Sequence, residues 1–193
     1  MLSNKLADYS IILASKSPRR QELIKSLNIP FSIKTKEVDE IYPNHLKDTE
    51  ITDFLAQLKS EPFKEELLKN ELLITSDTIV WLNNKALGKP KNKEEAFKML
   101  TELSDNTHKV ITSICITNKK FQHTINDTTI VTFKKLSSEE INYYIKTYKP
   151  FDKAGAYGIQ EWIGKIGITK IEGSYFNVMG FPVHKLYKEL LKL

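Results

Sequence analysis

Along the chain, short apolar or alternating runs give way to stretches whose apolar residues recur every three or four positions, the pattern of strands interleaved with helices. The first such unit predicts a buried strand over 11–14, a tight turn over 15–17 and a helix over 18–27 carrying Leu23, Ile24 and Leu27 on one face. Ser17 suits the N-cap, and Pro18 suits the first helical position, where a missing N–H costs nothing. Residues 31–35 alternate as a strand, and 36–45 form a polar loop. A helix over 48–60 presents Ile51, Phe54, Leu55 and Leu58, and 61–70 is expected to continue in helix after Pro62. Residues 72–82 are a strongly apolar strand run, interrupted by Ser76, Asp77 and Thr78. Asn83-Asn84 predicts a hairpin turn with Ala86 and Leu87 on the return strand. Asn92 is placed to cap a helix over 93–103. Strands over 108–117 and within 121–135 flank a turn at 118–120, and Ser137 with Glu140 forms a capping box for a helix ending near Tyr148. A glycine-bearing loop over 151–160, a strand over 165–171 and a largely helical end over 174–193, broken near Gly180-Phe181-Pro182, complete the pattern. Consecutive hairpin strands between 77 and 135 argue against an all-parallel sheet. The expectation is an α/β chain: a twisted mixed β-sheet with flanking helices and two lobes around a central cleft, with no linker marking a domain boundary.

One local rule is broken. Arg19 and Arg20 sit in the first turn of the 18–27 helix, where the helix dipole penalises cations by a few tenths of a kcal/mol each, roughly. Such breaks tend to mark function. A bound phosphate would resolve the conflict, since free backbone N–H groups, the dipole and two guanidinium forks all favour an anion there. The other reading leaves both arginines solvated or paired with Glu22 and Glu37.

Composition narrows the partners. The 193 residues fit one domain, and the net charge of +5 is spread along the chain. There is no arginine-rich block, aromatic RNA-binding signature or zinc-finger spacing, so nucleic acid is not an expected partner; a phosphorylated small molecule suits the charge equally well. No apolar run is long enough for a bilayer, the N-terminal stretch lacks a signal-peptide core, and the single Cys115 excludes a disulfide framework. The expected setting is the cytoplasm, with no membrane partner, Cys115 a buried thiol, and a symmetric homodimer as the default assembly.

Four further features carry candidate chemistry. Asp77 is flanked by apolar residues on both sides, where a carboxylate is expensive unless it is paired, binds a metal or lines a wet cleft. The alternative is a strand-end aspartate bonding backbone. Asp39 and Glu40 form an acidic pair in a polar loop. Lys89 lies between Gly88 and Pro90, which would aim one ammonium. Asp152 to Gly158 is rich in small residues that allow close backbone approach to a ligand. The histidines His45, His108, His123 and His184 have no metal spacing and are read as surface or strand-face residues. No GxSxG elbow, Walker loop or HExxH helix is present. Basic side chains for phosphates plus carboxylates for a hard cation are the equipment of metal-assisted phosphoryl or nucleotidyl chemistry.

Taken in order, LASKSPRRQELI at Leu13, VDE at Val38, LAQLKSE at Leu55, SDTIV at Ser76, LGKPKNKEEAFKML at Leu87, HKVITSICI at His108, DKAGAYGIQ at Asp152 and IEGSYFNVMGFPVHKL at Ile171 resemble the signature segments of the Maf family of nucleoside triphosphate pyrophosphatases. The resemblance runs from Ile11 to about Leu191. It implies hydrolysis between the α and β phosphates, a fold similar to the inosine-triphosphate pyrophosphatases, and a divalent cation, magnesium or manganese. By matched position, it implies Asp77 as catalytic proton acceptor. Arg19, Thr78 and Gln160 match the positions that set substrate preference and resemble the dTTP/UTP subfamily. Ser17, Arg20, Lys59 and Lys89 are implied as phosphate-binding, and Glu40 with Asp77 as metal-binding. Two positions depart: Glu161 stands where the family usually has glycine, and Tyr148-Lys149-Pro150 where Gly-Glu-Pro is common, a change expected to touch loop stability. The family's association with septum formation offers a second reading, a nucleotide-binding regulator of cell division with little catalysis.

Overall fold

The computed structural model describes residues 2–193. In chain order these form α1 (Leu2–Lys5), β1 (Ser10–Leu13), α2 (Pro18–Lys25), β2 (Phe31–Ile33), α3 (Thr49–Leu58), a 3-10 turn (Glu61–Phe63), β3 (Glu71–Leu82), β4 (Lys85–Leu87), α4 (Lys93–Leu103), β5 (Thr107–Thr117), β6 (Gln122–Phe133), α5 (Ser138–Tyr148), a second 3-10 turn (Ala154–Ala156), α6 (Trp162–Gly167), β7 (Ile168–Glu172), α7 (Tyr175–Val178) and α8 (Val183–Leu190). Among the described residues the strands form one seven-stranded sheet in the order β2-β1-β3-β5-β6-β7, with β4 paired to β3. β1 lies parallel to both β2 and β3, whereas β4 on β3 and β7 on β6 are antiparallel. The sheet is mixed, as the hairpin pattern requires, with helices flanking it. No described helix is long and apolar enough to cross a membrane.

The packing divides into two units. The first combines the chain up to Asp77 with Thr112–Asp127 and Gly180–Leu193. Here β1 is buried from Ile11 to Leu13, as a strand between two parallel neighbours must be. Ile12 meets Phe63, Leu67 and Leu73 in a compact cluster. Helix α3 buries Ile51, Leu55 and Ala56, and the Thr75 hydroxyl on β3 donates to the Ala56 carbonyl at 2.6 Å. Cys115 is a buried free thiol.

The second unit combines Thr78–Ile111 with Thr128–Met179. Its core runs from Val80 and Leu82 through Leu100, Leu103, Phe133 and Ile141 to Tyr144, Tyr157 and Ile163. The two helix caps read from the sequence in this unit are present. Asn92 accepts from the Glu95 N–H, and Ser137 and Glu140 cap α5 reciprocally. Asn83 and Asn84 turn the β3–β4 hairpin at φ of 49° and 60°, left-handed values that asparagine tolerates.

Three expectations are corrected. Residues 61–70 hold only a 3-10 turn. Phe63 and Leu67 are buried one helical turn apart, which mimics a helix, but Glu71 caps the Leu68 N–H with its side chain and starts β3 instead. β3 runs unbroken through Ser76, Asp77 and Thr78: the Thr75 hydroxyl bonds α3, the Ser76 carbonyl accepts from Arg20 of α2, and Asp77 pairs with Lys59 just after α3. Residues 165–167 belong to α6, not to a strand: Ile163 and Gly167 bury at helical spacing, and the strand begins at Ile168.

Candidate active site

In an open α/β sheet, ligands gather at the carboxyl ends of parallel strands. The register of the first unit decides which residues arrive there. Leu13 pairs with Ile74, so the turn after β1 and the residues after Ile74 emerge at the same end, and the 34–40 loop leaves β2 at that end too. Ser17 occupies the N-cap position of α2 with extended backbone, and Pro18 follows. The Ser17 hydroxyl makes no capping bond; its own N–H donates to Ser15 Oγ at 3.2 Å.

Arg20 reaches back from the first turn of α2. Its Nε donates to the Gly180 carbonyl at 2.9 Å and its Nη1 to the Ser76 carbonyl at 2.7 Å. Burial pulls the guanidinium below its ordinary value; the carboxylate of Asp77 opposes this, neighbouring Arg19 adds to it, and Glu40 again opposes. Arg20 is therefore a fixed charge inside a mixed-sign cluster, not a solvated residue paired with Glu37. That carboxylate instead meets Lys16 at 3.2 Å.

Lys59 closes the cluster. It caps the C-terminus of α3, where the helix dipole favours a cation. Its ammonium lies 2.6 Å from Asp77 Oδ1 and 2.9 Å from Glu40 Oε1. The Asp77 side chain is only 8% exposed, so an uncompensated carboxylate there would cost several kcal/mol. Arg19, Arg20, Glu40, Lys59 and Asp77 thus come together in the first unit, with three cations against two carboxylates. Among the described residues no three His, Cys, Asp or Glu side chains are grouped to hold a metal. Two hard carboxylate oxygens nonetheless converge on one cationic atom. That donor set fits magnesium or manganese, which are held by one or two carboxylates with substrate phosphates and waters completing the shell.

Thr78 follows Asp77 on β3, while Lys89 and Gln160 lie in loops of the second unit. Lys89 is exposed in the turn after β4. The Gly155 N–H donates to the Gly88 carbonyl at 3.0 Å, which stitches the Lys89 turn to the 152–160 loop. Gly155 holds φ of +67°, and a Cβ there would meet Val80 at 2.8 Å, so both the turn and the close approach require glycine. At the loop's end Gln160 Oε1 is buried without a hydrogen-bond partner.

The sequence did not expose what holds this loop. Glu161 accepts a short hydrogen bond from the Tyr144 hydroxyl through Oε2 and pairs with Lys153 at 3.0 Å through Oε1. Lys153 also pairs with Asp152 at 2.8 Å, and the Gly158 N–H donates to the Tyr144 oxygen at 3.0 Å. Burial, reinforced by the Glu161 carboxylate, pushes the Tyr144 hydroxyl far above the ordinary phenol value. The signal was present as the departure at position 161, but its partner Tyr144 lies one α-helix away. His108 is a second hidden feature. It is stacked on Phe133 and bonded to the Tyr157 hydroxyl at 2.7 Å, and burial pulls its pKa down to about 4.

Comparison with known proteins agrees along the whole chain. The Maf-like protein family matches residues 10–193. A dTTP/UTP pyrophosphatase from Flavobacterium johnsoniae is 58% identical over 193 residues, covering 100% of both chains. One of the same name from Flavobacterium psychrophilum is 59% identical over 191 residues, covering 99% of this chain and 98% of its own. Among solved structures, the Ham1 protein of Staphylococcus aureus superposes with a TM-score of 0.56 at 18% identity, covering 95% of this chain and 98% of its own, a likeness of fold.

Proposed function

The chain belongs to the Maf-like family, and on that footing we propose that it is a nucleoside triphosphate pyrophosphatase that converts dTTP and UTP to the monophosphate and pyrophosphate, a nucleotide-pool housekeeping role in the cytoplasm. The observation that carries the proposal is the Lys59 ammonium joining Glu40 and Asp77, beside the fixed guanidinium of Arg20.

Arg20, Lys59 and Lys89 hold the triphosphate, with Ser17 and the N-terminus of α2 contributing polar contacts. Glu40 and Asp77 would hold magnesium or manganese, which when bound supplies positive charge against the phosphate oxygens. Asp77 accepts a proton from the attacking water. The water oxygen adds to the α phosphorus, the bond to the α–β bridging oxygen breaks, and pyrophosphate leaves against the basic side chains. Arg19, Thr78 and Gln160 set the preference for the base. An amide both donates and accepts, which complements the N–H beside a carbonyl that uracil and thymine present. The buried, unpartnered Gln160 Oε1 supports this role, since such an acceptor is costly until a donor arrives.

The test is pyrophosphate release across a panel of nucleoside triphosphates with magnesium. Turnover is expected to be highest on dTTP and UTP. Asp77→Asn should lower kcat by at least about a hundredfold, the usual worth of a positioned proton acceptor, while nucleotide binding persists. Release no faster than without protein, or an Asp77→Asn variant of native rate, overturns the proposal.

A further inference from the structure

The Lys59 ammonium stands where a second cation is needed. It lies within hydrogen-bond distance of one oxygen from Asp77 and one from Glu40, 2.6 and 2.9 Å away. Those two oxygens can be no farther apart than the sum of those contacts. A divalent cation held by these same two carboxylates would need the space that the ammonium now fills. An ammonium and a divalent ion cannot both bridge one pair of oxygens, because each excludes the other sterically and by charge.

We propose that Lys59 is the placeholder cation of the nucleotide-free protein: it occupies the metal position between Glu40 and Asp77, and the metal enters only as Lys59 transfers its charge to an arriving triphosphate. This rests on the pyrophosphatase reading above and deepens it. Three features make the exchange workable. Lys59 is the C-cap residue that follows α3, so its backbone N–H is held by the Leu55 and Gln57 carbonyls while its four-carbon stem swings. Its side chain is 18% exposed, so the ammonium is partly open to solvent rather than sealed in. Asp77, nearly buried, needs a cation in every state, and the exchange never leaves it without one. The consequence is positive coupling: nucleotide strengthens metal binding, and by reciprocity metal strengthens nucleotide binding. Lys59 is thereby a positioning residue for metal loading as well as a phosphate contact.

The test reads metal binding directly, without turnover. Free Mn2+ is titrated by electron paramagnetic resonance against the nucleotide-free full-length protein and against Lys59→Met. Removing the placeholder is expected to tighten Mn2+ binding at least about fivefold, the low end of ordinary coupling between sites. Lys59→Gln, whose amide still donates to one carboxylate, is carried in parallel in case the methionine variant fails to fold, and the same tightening is expected. Lys59→Arg, which keeps the charge, should bind Mn2+ as weakly as the native protein. Adding Glu40→Gln to a neutral variant should abolish the gain. Mn2+ affinity unchanged or weakened in the folded neutral variants, or a gain that survives Glu40→Gln, overturns the placeholder. A native protein that releases no pyrophosphate from any nucleotide defeats the pyrophosphatase reading instead, whatever the manganese titrations give.

Discussion

Glu161→Gln isolates the buried polar knot that anchors the 152–160 loop. The substitution is isosteric, so it removes charge without a cavity. Glu161 is 19% exposed and Lys153 8%, while Asp152, the remaining partner of Lys153, is 57% exposed. Breaking a buried pair outright costs about 3–5 kcal/mol, and an exposed pair such as Lys153–Asp152 returns at most about 1 kcal/mol. The amide also keeps one hydrogen bond with the Tyr144 hydroxyl. The expected loss is about 2 kcal/mol, which for a chain of this size is roughly 4–8 °C in Tm. Urea unfolding followed by tryptophan fluorescence reads it locally, because Trp81 and Trp162 both belong to the second unit. Asp152→Asn, at the exposed side of the same lysine, should cost less than about 1 kcal/mol. A double-mutant cycle with Lys153→Met should give a coupling of at least about 1 kcal/mol. A Glu161→Gln protein within about 0.5 kcal/mol of native, or an additive cycle, would refute the account of the loop.

Two further outcomes follow from particular groups. His108 is held neutral in the fold with a pKa of about 4 against about 6.5 unfolded. Between those values the unfolded chain binds the extra proton, so stability rises with pH; the contribution is full above about pH 6.5 and is lost as pH falls through about 4, a span of about 3 kcal/mol. His108→Gln should flatten that slope in urea titrations run from pH 7 to pH 4, and an unchanged slope would clear the residue. Lys149 ends α5 in the left-handed region at φ 47°, a conformation that costs a side chain roughly 1 kcal/mol and glycine nothing. Lys149→Gly should therefore raise stability by a few tenths to about 1 kcal/mol after its entropic cost, measured by thermal unfolding; a lowered Tm would contradict this.

Much of the site was legible because it broke rules that the rest of the chain obeys. Two arginines at a helix N-terminus and an aspartate inside an apolar strand run stand out without coordinates, and the structure brings both into one cluster. The acceptors of Arg20 could not be read, because they are main-chain carbonyls of Ser76 and Gly180 and carry no side-chain signature. The helix that the pattern predicts over 61–70 does not form: Phe63 and Leu67 bury at helical spacing, but the chain holds only a 3-10 turn and Glu71 takes the Leu68 N–H. Position 161 was visible only as a departure; its meaning required knowing that Tyr144 and Lys153 converge on it. His108 sits on an alternating strand, where pattern alone does not say which face is sealed by Phe133 and Tyr157.

The bond between Arg20 and the Gly180 carbonyl spans 160 positions of chain. During synthesis Arg20 is made 160 residues before the Gly180 carbonyl it meets, and α8 buries Leu186 and Leu190 only after Gly180 has emerged. A polypeptide that ends before Gly180 therefore keeps the Ser76 carbonyl for Arg20 but lacks the Gly180 one. The buried setting of Arg20 is thus completed late on the ribosome, and truncation just before Gly180 is expected to yield chains that proteases clear.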